Sequence, residues 1–201
     1  MGISDRKERE KQEMRRLIMD AAMEMFVKEG FEKTSIRNIA DKIEYSPATL
    51  YLYYKDKDEL LWALQAEAFA KLNEIFREAI TAQDPLKQLE QLAKTYLHFG
   101  LSNPDLYDLM FIIRSPMNVE NDEKWEHGMA AYQALTNIIA ACGDRLRYKD
   151  QKAAAFSCWA MMHGLVSLNV RGRCKVLDMT DEEVDKVLET SVDEYMQLIT
   201  A

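Results

Sequence analysis

An all-α fold of about nine helices, with a three-helix N-terminal head and a longer helical body, is what this sequence predicts. Three observations lead there. The 201 residues are 48 % apolar yet include only 7 Gly and 4 Pro, a mixture that can bury a core and that favours helix over sheet. Apolar residues recur at intervals of three and four along most of the chain, the spacing of one helix face. Each proline follows a Ser, Asn or Asp, which pairs a capping side chain with a residue that has no N–H to leave unsatisfied.

Residues 1–13 are dense in both charges and almost without apolar side chains, which predicts a solvated arm or a frayed first turn. Met14, Leu17, Ile18, Ala21, Ala22, Met25 and Phe26 then mark one face of a helix that Gly30 ends, with Phe31 placed to pack back on its last turn. Thr34 is expected to cap a second helix striped by Ile36, Ile39, Ala40 and Ile43, and Ser46 a third that begins at Pro47. Asp56 and Glu59 have capping-box spacing ahead of a fourth helix carrying Leu60, Leu61, Leu64, Ala68, Leu72, Ile75 and Phe76.

Asp84-Pro85 opens a helix through Leu86, Leu89, Leu92, Ala93, Tyr96, Leu97 and Phe99, and Asn103-Pro104 a short one through Leu106, Leu109, Met110 and Ile113. Ser115-Pro116 reads as a loop. Asn121, Asp122 and Glu123 suit the start of a long helix ending near Gly143, and another is expected from about Lys149 to Arg171. Thr180 with Glu183 announces the last, with Val184, Val187, Leu188, Ser191, Tyr195 and Leu198 on one face. The domain boundary is placed after residue 57, ahead of a body over 58–201.

Charge is divided the same way. The formal net charge is −8, but residues 1–57 carry 12 Lys and Arg against 11 Asp and Glu, leaving 14 against 23 for the remainder. A nucleic-acid role must therefore rest on a local surface of the head. The opening MGISDRKEREKQEM has no apolar stretch of the signal-peptide kind, and Arg6 stands where myristoylation needs Ser or Thr, so a cytoplasmic protein is expected. Ala153 to Val170 carries no formal charge, yet it contains Ser157, His163, Gly164, Ser167 and Asn169. A buried core helix, not a membrane span, is expected there. Cys142, Cys158 and Cys174 show no CxxC or CxxH spacing and read as reduced thiols, with Cys174, between Arg173 and Lys175, the one whose surroundings would activate it. His98, His127 and His163 have no matched ligand spacing, so neither metal nor cofactor is expected.

Two short helices joined by a tight turn over a first helix describe a helix-turn-helix, whose second member can enter a major groove. Leu50 and Tyr54, four apart, face the core, which leaves Ala48, Thr49, Leu52 and Tyr53 outward. Small residues permit close approach to base edges, and phenols reach phosphate oxygens. Arg37 is a long donor beside them, and Lys57 lies at a helix N-terminus, where backbone N–H groups favour an anion. Spacing alone equally fits an ordinary three-helix corner.

The segment resembles the DNA-binding domain of TetR-family transcriptional repressors over roughly residues 13–62. The resemblance is carried by Phe26, Gly30 and Phe31, by Thr34-Ser35 before Arg37, Ile39 and Ala40, by Ser46, Thr49-Leu50-Tyr51 and Tyr54, and by Lys57 before Leu60. It implies groove contacts from Pro47, Ala48 and Thr49, phosphate contacts from Tyr51, Tyr53 and Lys57, a backbone contact from Ser35, and a base or phosphate contact from Arg37. The chain departs from the family pattern at Glu44, where Gly is usual, at Tyr45, commonly aliphatic, and at Ala48, often Gly. If the turn needs a positive φ at Glu44, the non-Gly residue costs about 1 kcal/mol.

The helix expected over 149–171 carries two stripes. Ala153, Ser157, Ala160, Gly164 and Ser167 form a small-residue seam for a partner helix, while Phe156, Trp159, His163, Val166 and Val170 are read as its core face. Its WAMMHG segment resembles the Trp-x-x-x-His-Gly signature of one TetR C-terminal subgroup. That resemblance implies a two-fold dimer of the last two helices, involving the seam with Val184, Leu188 and Tyr195. It also implies a ligand cavity, for which Tyr96, Phe99, Met110, Trp125, Tyr132, Trp159 and His163 are candidates. The function expected is a homodimeric repressor on palindromic double-stranded operator DNA, released by a small, hydrophobic effector, with no membrane role. A helical adaptor using the seam, or a small helical enzyme using Cys174 or His163, is the alternative. The enzyme lacks a GxSxG, HExxH or P-loop motif.

Overall fold

The computed structural model describes residues 3–113 and 126–201. Nine α-helices lie among the described residues: α1 (Ile3–Met25), α2 (Ile36–Lys42), α3 (Pro47–Tyr51), α4 (Lys57–Ala79), α5 (Pro85–Ser102), α6 (Pro104–Phe111), α7 (Glu126–Cys142), α8 (Gln151–Val170) and α9 (Asp181–Ile199). The expected loop at Ser115-Pro116, the helix start at Asn121 and the candidate ligand residue Trp125 fall outside the described residues. Packing divides the described chain into two units, residues 3–68 with 105–113 and residues 69–104 with 126–201. They cut across the expected boundary after residue 57, because the first half of α4 and nearly all of α6 pack with the head.

In the first unit, Ile18, Ala22 and Phe26 of α1, Ile39 and Ala40 of α2, Leu50 of α3 and Leu60 and Leu61 of α4 are buried together. The expected arm is instead continuous helix from Ile3. Arg6 pairs with Glu10 at 2.7 Å and Arg9 with Glu13 at 3.7 Å, one turn apart, in a stretch without Gly or Pro. Such i,i+4 pairs are each worth a few tenths of a kcal/mol, about 0.2–0.5, and together extend the helix past its packed face. A single π-helical turn, Phe26–Gly30, closes α1, with Gly30 at φ 93° and the Phe31 ring edge-on to Phe26 at 5.0 Å.

Thr34 is not the cap of α2. It is 2 % exposed, and both its N–H and its hydroxyl donate to Gly30 O, at 3.2 and 2.9 Å, so it satisfies the carbonyl end of α1. Ser35 takes the capping position, accepting from the N–H of Asn38 at 3.2 Å. At α4 the capping pattern is shifted too. Asp56 Oδ1 accepts from the Glu59 N–H at 2.8 Å, but the Glu59 carboxylate takes the N–H of Lys55 at 2.6 Å. Further along α4, fully buried Gln65 donates from Nε2 to Leu109 O at 2.8 Å, meeting a carbonyl that the last turn of α6 leaves without a helical partner.

In the second unit α5 packs against α7, α8 and α9, with Leu89, Leu92, Ala93, Tyr96, Leu97 and Phe99 buried. Its outer side is pinned to α9 by Lys94, which bonds Asp193 at 2.7 Å and Glu90 at 3.0 Å. Asp84 caps α5 and bonds Arg145 at 2.6 Å. The guanidinium holds its carboxyl below the usual carboxylate range, helped by the N–H of Lys87. Asp150 caps α8, and Thr180 with Glu183 forms the expected capping box on α9. An isolated antiparallel bridge between Leu146 and Thr200 fastens the end of α9 to the segment before α8.

The stripe of α8 that packs inside is Ala154, Ala155, Cys158, Met162 and Val166. This corrects the expected core stripe: Phe156 is 61 % and Trp159 38 % exposed, and of that set only Val166 is buried. Nor is α8 a buried core helix. By length and composition alone it is long and apolar enough to cross a bilayer, a test that core helices pass as well, and 28 % of its apolar window is buried. Cys142 and Cys158 are buried, and burial pushes both thiols up, away from the reactive thiolate. Cys174 is half-buried in the 3₁₀ turn Arg173–Leu177.

Candidate nucleic-acid interface

The turn between α2 and α3 follows from its hydrogen bonds. The N–H of Tyr45 donates to Ala40 O at 3.0 Å and that of Glu44 to Asp41 O at 3.2 Å, the pair of bonds that defines a Schellman end. Its C′ residue must be left-handed, and Glu44 holds φ 60° there. The positive φ anticipated at this departure from the family pattern is present. Ser46 starts α3, accepting from the N–H of Thr49 at 3.2 Å, while the two hydroxyls lie 2.9 Å apart.

Leu50 and Tyr54 anchor α3, at 0 and 6 % exposure. Burial raises the Tyr54 phenol, with Arg15 acting against it, so it stays protonated. The opposite face carries exposed Ala48, half-exposed Pro47, Thr49 and Tyr53, and Tyr51 at 56 %. Leu52, 81 % exposed, shares that surface and was not among the candidate contacts, although its outward register is legible in the spacing. Arg37 is exposed in the first turn of α2 with no carboxylate in ion-pair range among the described residues. Lys42 and Lys28 differ, both being held by Glu24 at 3.0 Å. Their hydrogen bonds, that from Lys42 first, hold the Glu24 carboxyl below its ordinary value. Lys57 is half-buried, its Nζ donating to Phe31 O at 3.0 Å.

The candidate ligand residues are partly gathered. Within the second unit Tyr96 Oη lies 3.2 Å from His163 Nδ1, and the Trp159 ring stands 6.2 Å from His163 and 5.9 Å from Tyr132. Burial lowers the His163 pKa, favouring the neutral ring. Phe99 is buried on α5, and Met110 is buried on α6 in the other unit. Phe156, 6.4 Å from Trp159, belongs to the same aromatic group and was read as core. A separate open cleft of about 460 Å³, lined by residues including Asp84, Lys87, Arg145, Arg147 and Gln197, was not foreseen. Its residues converge from three distant segments without a local motif.

Of the seam residues, Ala153 and Ala160 are exposed and Ser157, Gly164 and Ser167 half-exposed, and a Cβ added at Gly164 would meet no atom within 4 Å. Val184 and Leu188, expected at a dimer interface, are buried inside the single chain at 7 and 4 % exposure. They belong to the face that α9 turns to its own core, whereas Val187 and Leu198 on the same helix are 38 and 67 % exposed. Tyr195 is half-buried, its hydroxyl 3.2 Å from Tyr148 Oη and 3.7 Å from Cys158 Sγ.

A short helix, a left-handed turn and a second short helix whose outer face is open and whose inner face is locked define a helix-turn-helix protein. Comparison narrows the class. Residues 18–64 match the profile of bacterial regulatory proteins of the tetR family, and residues 89–195 match that of the tetracyclin repressor-like C-terminal domain. The chain belongs to the tetR family of transcriptional regulators.

Among its relatives is an HTH-type transcriptional repressor of Mycobacterium tuberculosis, 27 % identical over 68 % of this chain and 66 % of that protein. A fatty acid metabolism regulator of Bacillus subtilis is 28 % identical over 61 % of this chain and 62 % of its own length. The chain thus spans slightly under two thirds of each. The same fold occurs in the fatty acid degradation regulator FadR from Bacillus halodurans, with TM-score 0.72 at 18 % identity over 93 and 94 % of the two chains. It recurs in FadR from Bacillus subtilis in complex with stearoyl-CoA, with TM-score 0.71 at 19 % identity over 90 and 96 %.

Proposed function

We propose that this chain is a homodimeric repressor that binds a palindromic operator and leaves it when a hydrophobic small molecule binds its second unit. The observation that carries the reading is the open face of α3, with Pro47, Ala48, Thr49, Tyr51 and Tyr53 presented around buried Leu50 and Tyr54. Thr49 and Ala48 would meet base edges, Tyr51 and Tyr53 phosphates, Ser35 the backbone, and exposed Arg37 a base or phosphate. A dimer sets two such helices about 34–36 Å apart, one turn of duplex, which is the geometry that reads a palindrome. The exposed side of α8, with Ala153, Ser157, Ala160, Gly164 and Ser167 beside Phe156 and Trp159, supports pairing with a second copy.

For the effector, the Tyr96–His163 pair set among Tyr132, Phe156 and Trp159 offers one polar anchor in aromatic surroundings. The relatives named for fatty acid metabolism, and the one solved with stearoyl-CoA, point to a long-chain acyl group as the first ligand to test. Full release, from 99:1 to 1:99, requires it to favour the released state by about 5.5 kcal/mol. Selection from random duplex DNA, with and without stearoyl-CoA, tests the whole reading. A palindrome lost on adding the acyl-CoA is expected, and the absence of any sequence preference at modest salt would overturn it.

A further inference from the structure

Among the described residues of the first unit, Leu52 is the most exposed large apolar side chain, at 81 %, and its place on the helix is well defined. Its backbone holds φ −72° and ψ −18°, and its N–H donates to Thr49 O at 3.2 Å. The N–H of Tyr54 donates to Leu50 O at 3.0 Å, so the helical turn runs on past the end of α3. Each residue advances about 100° around such a turn. Leu52 is two residues from both buried anchors, Leu50 and Tyr54, and so points directly away from the packed side. Exposed Ala48 lies one turn before it on the same outer line, flanked by Thr49.

A single exposed leucine is ordinary on a protein surface. In the middle of a face offered to DNA it has consequences. Leu52 has no donor or acceptor for a phosphate or a polar base edge, and covering such an edge with it forfeits the hydrogen bonds that water made there. The major groove presents one apolar feature, the C5-methyl group of thymine, which the leucine methyls match. We infer that Leu52 reads a thymine methyl in each half-site, which makes it a specificity-determining residue of the α3 face beside Thr49. The inference rests on the operator-binding reading and fails separately from it.

In the operator that the wild-type chain selects, each thymine is replaced in turn by uracil, in both half-sites together. Affinity is then measured for wild type, Leu52→Ala and Leu52→Met. Uracil keeps every hydrogen-bonding group of thymine and lacks only the methyl. One thymine per half-site is expected at which uracil weakens wild type about fourfold for each methyl removed, the worth of one buried carbon. There Leu52→Ala should bind thymine and uracil duplexes alike, whereas Leu52→Met, which keeps an apolar chain of similar reach, should still tell them apart. Thymines that meet Ala48 or Thr49 stay sensitive in all three proteins. With the side chain in solvent, Leu52→Ala should also keep the wild-type urea midpoint, so that the loss belongs to recognition. The same ratio of thymine to uracil affinity at every position in wild type and Leu52→Ala would overturn the inference and leave the repressor reading standing. If the wild-type chain selects no operator, the repressor reading falls and the inference falls with it.

Discussion

At Glu44 the backbone accepts a conformation that the side chain opposes. The Schellman bonds at Ala40 and Asp41 fix φ at 60°, where a Cβ costs about 1 kcal/mol. Glu44→Gly relieves that strain, partly offset by the greater freedom of glycine in the unfolded chain, and removes a carboxylate from the rim of the candidate interface. Stability is expected to rise by up to about 1 kcal/mol as a shifted urea midpoint at constant slope, and affinity for unrelated duplexes to rise as well. On α3, Thr49→Ala is expected to change preference at particular base pairs, whereas Tyr51→Phe weakens all sequences alike. Equal losses on every duplex from Thr49→Ala would sink that division. Residue-level detail was only half legible in the sequence. The left-handed turn was raised only through the family's usual glycine at Glu44, and Thr34 and Ser35 have similar side chains, so that only the placement of the carbonyls of α1 decides which of them caps.

Among the elements, α8 shows where pattern reading stops. Its two stripes were visible as periodicity, but periodicity cannot say which face meets its own chain, and Ala154, Ala155 and Cys158 are small enough to look like a partner seam themselves. The helices flanked by polar caps, such as α5 at Asp84 and α9 at Thr180, were legible because a cap is a local device. The contact between α5 and α8 was not, since Tyr96 and His163 are far apart in sequence. It carries a pH dependence. Burial lowers the His163 pKa below 6.5, so the unfolded chain binds more protons than the folded one just below that value, and stability falls as pH drops from about 6.5 toward the folded pKa. Wild type should lose more of its urea midpoint between pH 7.5 and 5.5 than His163→Gln does. Parallel losses would show that the imidazole contributes nothing.

For the whole molecule, the proposed dimer face is the exposed side of α8. Gly164 has open space around it in the single chain, so Gly164→Leu should leave the thermal stability of the isolated subunit intact while holding a second α8 away. Sedimentation is expected to show monomers where wild type shows dimers, and unchanged dimers would move the interface elsewhere. The all-α fold could be read from composition and capping, whereas the division into packing units could not, because residue 57 marks a change of charge and pattern at the start of α4, while the packing units divide inside that unbroken helix, after Ala68. The graded burial of the three thiols has a practical consequence for watching such assembly. Cys142 and Cys158 are shielded and Cys174 stands in the turn between α8 and α9, so brief exposure to a maleimide dye should mark Cys174 alone. The native chain thereby supplies a single optical reporter beside its proposed dimer face, without any engineered cysteine.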